Sequence, residues 1–523
     1  MSRLAKPRIS IILTFVICCA LIGVFFYAQL NIKEQKTKAN LFTLVPQDAQ
    51  AIIETNNINS LFQDLEGSVF YQDYKNIHFS DLFNFLNHKI DQLAEKKGHG
   101  LSVPMSNVLI SFHSPGKSND QILYGHLGDG DQNLMDRILK ELNTTGHRPK
   151  EVTYKKQKIV IYPLNNKEYL SCFFQSNCYA ISFQKNLIEA VIDAFTENTS
   201  LFSNPQFLPV YKQKKIENTT RLYARIALLA EWTQYDIHIQ HDAIYLTGYC
   251  YQKNRKGNDY FPFISNLQVP ILPADFLPLK TNAFYQIGIQ HPQEMASILA
   301  YNDSILKKPI TPHTTKIEAF YQFLDNYADT EARNIEFLDI NPDESHRVML
   351  IPMKAEYSQA LAAWKQIAQR NWKSVWSEGT NYPLYTIDNN RIMKYLLSAR
   401  ALQVPKLTGT LLKNNFLILS DREEDIRAYL NPRNYTQKGL EGWNEYLGNL
   451  SQQANFTFFA DMEAVCQRPL EFKTMLPKFF FTQLDFFSKF TITIQYIKTS
   501  APLNINIILN YKLPDEQIRV MPS

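Results

Sequence analysis

The sequence predicts an α+β protein: one N-terminal transmembrane helix, then two tandem, duplicated units of mainly antiparallel sheet with packed helices. Three observations carry that expectation. An uncharged apolar run opens the chain at Ile9–Leu30. Strand-like stretches then alternate with short amphipathic ones. Finally, LVPQDAQAIIETNNINSLF (Leu44–Phe62) is echoed by FLPLKTNAFYQIGIQHPQEMASIL (Phe276–Leu299): a proline, an extended apolar run, a polar turn and an amphipathic start. The expected organisation is a cytoplasmic terminus over 1–8, a signal anchor over 9–30, a linker over 31–40, repeats over 41–262 and 263–515, and a tail over 516–523.

The anchor comes first. At ~1.5 Å rise per residue, Ile9–Leu30 spans a hydrocarbon core of ~30 Å. It is longer than the usual signal-peptide apolar region, and no clear small-x-small cleavage site follows it. An uncleaved anchor is therefore preferred to a signal peptide, and Cys18 and Cys19 lack a convincing lipobox. Arg3, Lys6 and Arg8 favour a cytoplasmic N-terminus, although Lys33, Lys36 and Lys38 weaken the bias. The bulk is expected outside the cytoplasm, in the periplasm of a Gram-negative host.

The remainder is globular in composition. Of 523 residues, 45% are hydrophobic and 13% aromatic, which suits well-packed sheets. Net charge is only +4, and no basic face stands out beyond short stretches such as Lys212–Lys215, so nucleic acid is not expected as a partner.

Paired blocks then recur in one order. Strands at Asn107–Phe112 and Gln121–Leu127, followed by a helix with Leu134, Ile138 and Leu142 on one face, match strands at Arg333–Leu338 and Val348–Met353 and the helix Ser358–Arg370. IYPLNN (Ile161–Asn166) matches NYPLYT (Asn381–Thr386). Asn177–Phe195 matches Asn414–Leu430, each a strand ending in serine (Ser182, Ser420) before an amphipathic helix. Ser420 with Glu423 reads as a capping box. Asn204-Pro205 and Asn431-Pro432 stop the helices. Arg221–Leu228 pairs with Phe456–Met462, and each half closes on a two-strand unit.

With these blocks in place, the chain resembles an uncharacterised family of bacterial cell-envelope proteins, on the proline opening, the strand-Ser-helix block and FSKFTITIQY…NINIILNYK. The resemblance implies a membrane anchor and a duplicated extracytoplasmic region. It implies no activity and no catalytic residues.

Catalytic signatures are sparse. GHLGDGD (Gly125–Asp131) lacks the lysine and spacing of a phosphate loop, and no G-x-S-x-G or H-E-x-x-H occurs. The metal candidate is Asp236, His238 and His241, with the first two on one strand face and the third at a turn; an ordinary polar strand face is the favoured reading. Cys172 and Cys178 flank a hairpin tip and form a disulfide only if the turn sets them opposite each other. Leu476–Phe490 reads as a core helix in preference to a membrane-inserting one. No cofactor is expected.

The expected function is non-enzymatic: a membrane-anchored protein, held by Ile9–Leu30, that binds a partner protein or envelope component in envelope assembly or maintenance. The alternatives are a hydrolase of envelope glycan or peptide, and a receptor for a small apolar or aromatic ligand. The hydrolase requires converging acidic, His or Ser groups in a cleft.

Overall fold

The structure, a computed structural model, describes residues 40–74, 107–113, 120–128, 135–136, 139–140, 147–164, 169–175, 177–212, 219–226, 231–250, 267–289, 291–292, 315–329, 331–338, 345–389, 404–435, 443, 448–467, 484–498 and 503–512. The chain divides into two compact units, the first of Met1–Leu61 and His78–Pro205, the second of Phe62–Ile77 and Gln206–Ser523.

Unit 1 contains β1 (Ala51–Thr55), β2 (Val108–Phe112), β3 (Gln121–His126), β4 (Lys150–Tyr154), β5 (Gln157–Pro163), β6 (Tyr169–Gln175) and β7 (Cys178–Ser182). They pair antiparallel in the order β1-β2-β3-β7-β6-β5-β4. β2 and β7 are buried along their whole length, so their residues run apolar on both faces rather than alternating. The helix Lys185–Thr196 follows β7. Its Leu187, Ile188, Val191 and Ile192, spaced three to four apart, form the buried stripe.

Unit 2 contains β8 (Thr220–Ile226), β9 (Glu231–Ile239), β10 (Ala243–Cys250), β11 (Val269–Pro270), β12 (Thr281–Gly288), β13 (Glu331–Leu338), β14 (Ser345–Pro352), β15 (Gln369–Ser377), β16 (Thr380–Asp388), β17 (Lys406–Leu411), β18 (Phe416–Ser420), β19 (Gln453–Ala454), β20 (Phe456–Asp461), β21 (Phe490–Ile497) and β22 (Leu503–Tyr511). Apart from the small β11–β19 ribbon, the order is β8-β9-β10-β22-β21-β20-β12-β13-β14-β18-β17-β16-β15, again antiparallel throughout. The stretch β12-β13-β14-β18-β17-β16-β15 has, strand for strand, the order of unit 1. β10 and β22 lie side by side over eight residue pairs, from Ala243↔Asn510 to Cys250↔Leu503. That pairing is why β8–β10 are compact with the second half of the chain, in the unit that includes Gln206–Ser523.

One face of the β12–β18 ladder carries a core of Phe284, Ile335, Val348, Leu384, Ile418 and Trp443. Trp443 stands edge-on to Phe284 (5.0 Å, 88°) and Phe459 (5.3 Å, 70°) and donates from Nε1 to the Leu272 carbonyl at 3.0 Å. The indole therefore has both its apolar body and its one donor satisfied.

The structure corrects several expectations. The fold class is mainly antiparallel β and not α+β: among the described residues twenty strands build the two ladders, and the longest helix, Thr315–Tyr327, has 13 residues. Among the described residues no helix is long and apolar enough to cross a membrane; Ile9–Leu30 lies outside them. Helical periodicity over a dozen residues announces a helix without showing that strands outnumber helices. Ser420 is not the helix N-cap. That position is Arg422, whose side chain makes no cap, and the Ser420 Oγ accepts from the Arg422 amide instead (3.2 Å). The first-half helix bearing Leu134, Ile138 and Leu142 has none of those three residues described. Of Leu476–Phe490 the described part is 484–490: a four-residue turn of helix, Leu484–Phe487, a turn, and Phe490 at the start of β21, with Phe486, Phe487 and Phe490 buried.

Candidate functional site

Two places in the described residues have the composition a functional site needs. The first is a buried polar relay in unit 1. Strand alternation on β2 puts Leu109, Ser111 and the following His113 on one face, and the register sets Ser111 opposite Ile122 and Leu109 opposite Tyr124. The Ser111 Oγ lies 2.7 Å from the His113 Nε2 and 3.0 Å from the Tyr124 hydroxyl. On its other side, the His113 Nδ1 lies 2.9 Å from the Asp48 carboxylate. The carboxylate accepts only, so Nδ1 carries the hydrogen and Nε2 accepts from the serine. Burial raises the Tyr124 pKa, keeping the phenol neutral and a donor to Ser111.

The distances match those of an activated serine: a nucleophile bonded to a base, and the base oriented by an acid. Access does not match. Ser111 and Tyr124 are both fully buried, and only the Asp48 end reaches solvent. With Tyr124 on one side and His113 on the other, the Ser111 oxygen is closed in. Unit 2 shows what the relay is worth to the fold. The shared ladder order places Ile335 and Phe337 where unit 1 has Ser111 and His113, and both are fully buried there. Replacing every member of a buried polar network by apolar groups of fitting shape is close to neutral, whereas removing one member is costly. The relay is one of two ways of filling the same core.

Unit 2 has its own buried charge. Arg333, whose counterpart by register is Leu109, donates from Nη2 to Glu331 (2.5 Å) and lies over the rings of Phe276 (4.7 Å) and Phe416 (5.2 Å). Gln286 donates to the same carboxylate. This is a paired guanidinium set against two neighbouring aromatic rings in the interior.

The second place is an edge. β4 in unit 1 and β15 in unit 2 end their ladders, each paired to one neighbour by a hairpin with a two-residue turn. Lys155 and Lys156 have φ of 44° and 65°, Glu378 and Gly379 of 44° and 73°, the left-handed pair that matches strand twist. Counting back from the turns sets Thr153 against Trp376 and Val152 against Val375. The β4 hairpin is dressed in ions: Glu151 pairs with Lys158, and Lys155 with Asp193 and Glu197. The β15 hairpin instead exposes Trp372 by 94% and Trp376 by 69%. Charges on an edge strand discourage association, and exposed indoles do the reverse.

The residues singled out from sequence do not converge. Asp236 is buried beside Arg221 (3.5 Å to Nε), while His238 and His241 are exposed. Among the described residues no three His, Cys, Asp or Glu side chains are placed to hold a metal. Cys172 and Cys178 are free buried thiols and not a disulfide. Cys178 faces Gln175 and Cys172 faces Ile181, an odd offset that puts them on opposite faces. Burial pushes the Cys178 thiol up to about 11, so it is neutral and unreactive at pH 7. The Ser111 relay and the Trp pair were both missed. The one depends on a contact to Asp48 across 65 residues of sequence; for the other, S-x-H and W-x-x-x-W were the only local signals.

No family model matches the chain, and no curated protein matches it significantly. Among solved structures it is similar to one described as "Structure of crystal form I of TP0453", with 11% identity over 43% of this chain and 82% of that one, at a TM-score of 0.25. A likeness at that score carries no argument.

Proposed function

We propose that this chain is a non-enzymatic, membrane-anchored extracytoplasmic protein, internally duplicated, that binds a partner protein or envelope component in envelope assembly or maintenance. The observation that carries the reading is the pair of exposed tryptophans on β15, the edge strand that matches β4 of unit 1, whose hairpin carries salt bridges instead. Large exposed apolar side chains are otherwise few among the described residues: Tyr169, Phe195 and Tyr249, each less exposed than Trp376. The uncharged run Ile9–Leu30 supports the anchor, and the shared strand order supports the duplication.

The test is photo-crosslinking in cells with a reactive amino acid at position 376, and at position 153 as control. Reproducible capture of one envelope component from position 376, absent at 153 and lost when Trp372 becomes Ala, supports binding at this edge. Equal capture from both positions, or none, removes the support.

A hydrolase is the second reading, favoured by the 2.7 and 2.9 Å contacts around His113. It requires Ser111 to reach a carbonyl carbon. Labelling of native protein by a fluorophosphonate, lost in Ser111→Ala, would establish it; absence of labelling at native pH leaves the relay structural.

A further inference from the structure

Resting on the binding reading above, we infer that the β15–β16 hairpin docks on a lipid bilayer surface, with Trp372 and Trp376 at the headgroup level. Three features of the hairpin select a bilayer over an added protein strand.

The first is chemistry. An indole has an apolar body and one polar N–H, which suits the boundary between headgroups and acyl chains. Both rings stand free of the core: Val375 between them is fully buried, so Trp376 projects from the opposite face of β15. The second is charge. Arg370 and Lys373 flank Trp372 on β15, with Lys365 on the helix before it; the acids of the hairpin are Glu378 at the turn and Asp388 at the end of β16, so the cations that anionic headgroups would meet are those beside Trp372. Lys373 shares part of its charge with Glu423 at 2.9 Å; Lys365 and Arg370 are exposed. The third is backbone. Between Arg370 and Ser374 the register to β16 breaks, four residues running against two from Tyr385 to Pro383. Such a bulge bends an edge away from straight pairing, so a partner strand finds no continuous ladder where Trp372 sits. A lipid surface needs none. A chain tethered by Ile9–Leu30 would present this hairpin to the bilayer at high effective concentration.

The five tryptophans give the test its readout. Trp232, Trp364 and Trp443 are buried to within 1% of fully, so water- or lipid-accessible indole emission comes from Trp372 and Trp376. The full chain is incorporated into phosphatidylcholine–phosphatidylglycerol vesicles, with and without brominated acyl chains. The expected result is a blue-shifted emission, shielded from iodide and quenched by the brominated chains. Both effects should be lost in W372A/W376A, whose unchanged far-UV circular dichroism and urea midpoint show that the fold survives. Emission that stays red and open to iodide with lipid present overturns the inference. If the position-376 crosslink still captures a protein, the binding reading survives and only the bilayer falls; if it captures nothing, both fall.

Discussion

Unit 1 and the β12–β18 ladder of unit 2 hold one serine latch in two chemical versions. In both, the last residue of the strand before the helix is a fully buried serine whose Oγ donates to a carbonyl on the neighbouring strand: Ser182 to Gln121 at 2.7 Å, Ser420 to Arg347 at 2.8 Å. In both, the same Oγ accepts from the amide two residues on, Gln184 at 3.1 Å and Arg422 at 3.2 Å. The flanking charges have changed sides. Unit 1 keeps its acid just before β3, where Asp120 accepts from Gln184. Unit 2 puts the acid on the helix, where fully buried Asp425 is held by His346 of the strand and by Arg422, and lies 2.9 Å from the Ser420 Oγ, whose one hydrogen it shares with the Arg347 carbonyl. The backbone latch tolerates either arrangement, because what it needs is complete hydrogen bonding and not a particular sign.

That contrast sets the largest expected effect. Arg422→Ala leaves the Asp425 carboxylate buried with one cation fewer and should cost about 3 kcal/mol. Gln184→Ala, which removes a neutral donor from Asp120, should cost about 1 kcal/mol. Urea unfolding of both variants gives the difference. Equal losses would mean that the ionic version holds unit 2 no more tightly than the amide version holds unit 1.

Next comes the hairpin pair. Val375 is fully buried in the unit 2 core, whereas Val152 is half-buried. Val375→Ala should therefore cost about 2 kcal/mol and Val152→Ala under about 1 kcal/mol. The inequality tests whether the Trp-bearing edge is firmly seated, as a docking platform must be. If the Val375 variant unfolds at the wild-type urea midpoint, the edge is not built into the core.

How much of this was legible in the sequence follows from where each signal lies. The two versions of the latch were visible as strand-Ser-helix blocks, since Ser182 and Ser420 end runs with strand composition. The cap at Ser420 was misread because a serine three residues before a glutamate has the spacing of a capping box; the helix starts two residues later, and the serine binds across strands. The Ser111 relay was illegible, since Asp48 is remote in sequence and burial has no sequence signature at a single serine. The β10–β22 pairing was illegible as well, because strands such as AIYLTGYC and LNINIILNY do not name their neighbours.

The two turns provide a smaller contrast. Gly379 takes φ of 73° at no steric cost, and a methyl group there would meet nothing within 4 Å. Gly379→Ala should cost about 1 kcal/mol from backbone strain alone. Lys156, at φ 65° in the matching turn, already bears that strain, so Lys156→Gly should stabilise by up to about 1 kcal/mol. Opposite signs in thermal unfolding would show the turns to be equivalent in geometry and different only in residue.

The smallest effect is in pH dependence. His126 and Cys178 face each other in unit 1, with the Sγ 3.5 Å from Nδ1; the matching pair in unit 2 is Pro352 and Phe416, which do not titrate. Burial lowers the His126 pKa. The folded state then binds fewer protons than the unfolded chain, whose histidine titrates near its ordinary ~6.5. Stability from this position is fully present above that pH and is lost as the pH falls toward the lowered folded value. Wild type should therefore lose stability relative to His126→Gln as the pH falls below about 6.5, measured as the change in the difference of their urea midpoints. A difference that does not move below that pH would mean that the His126 ring gains solvent or a partner on protonation, and that this polar pair sits in its core at no more cost than the apolar pair opposite Pro352.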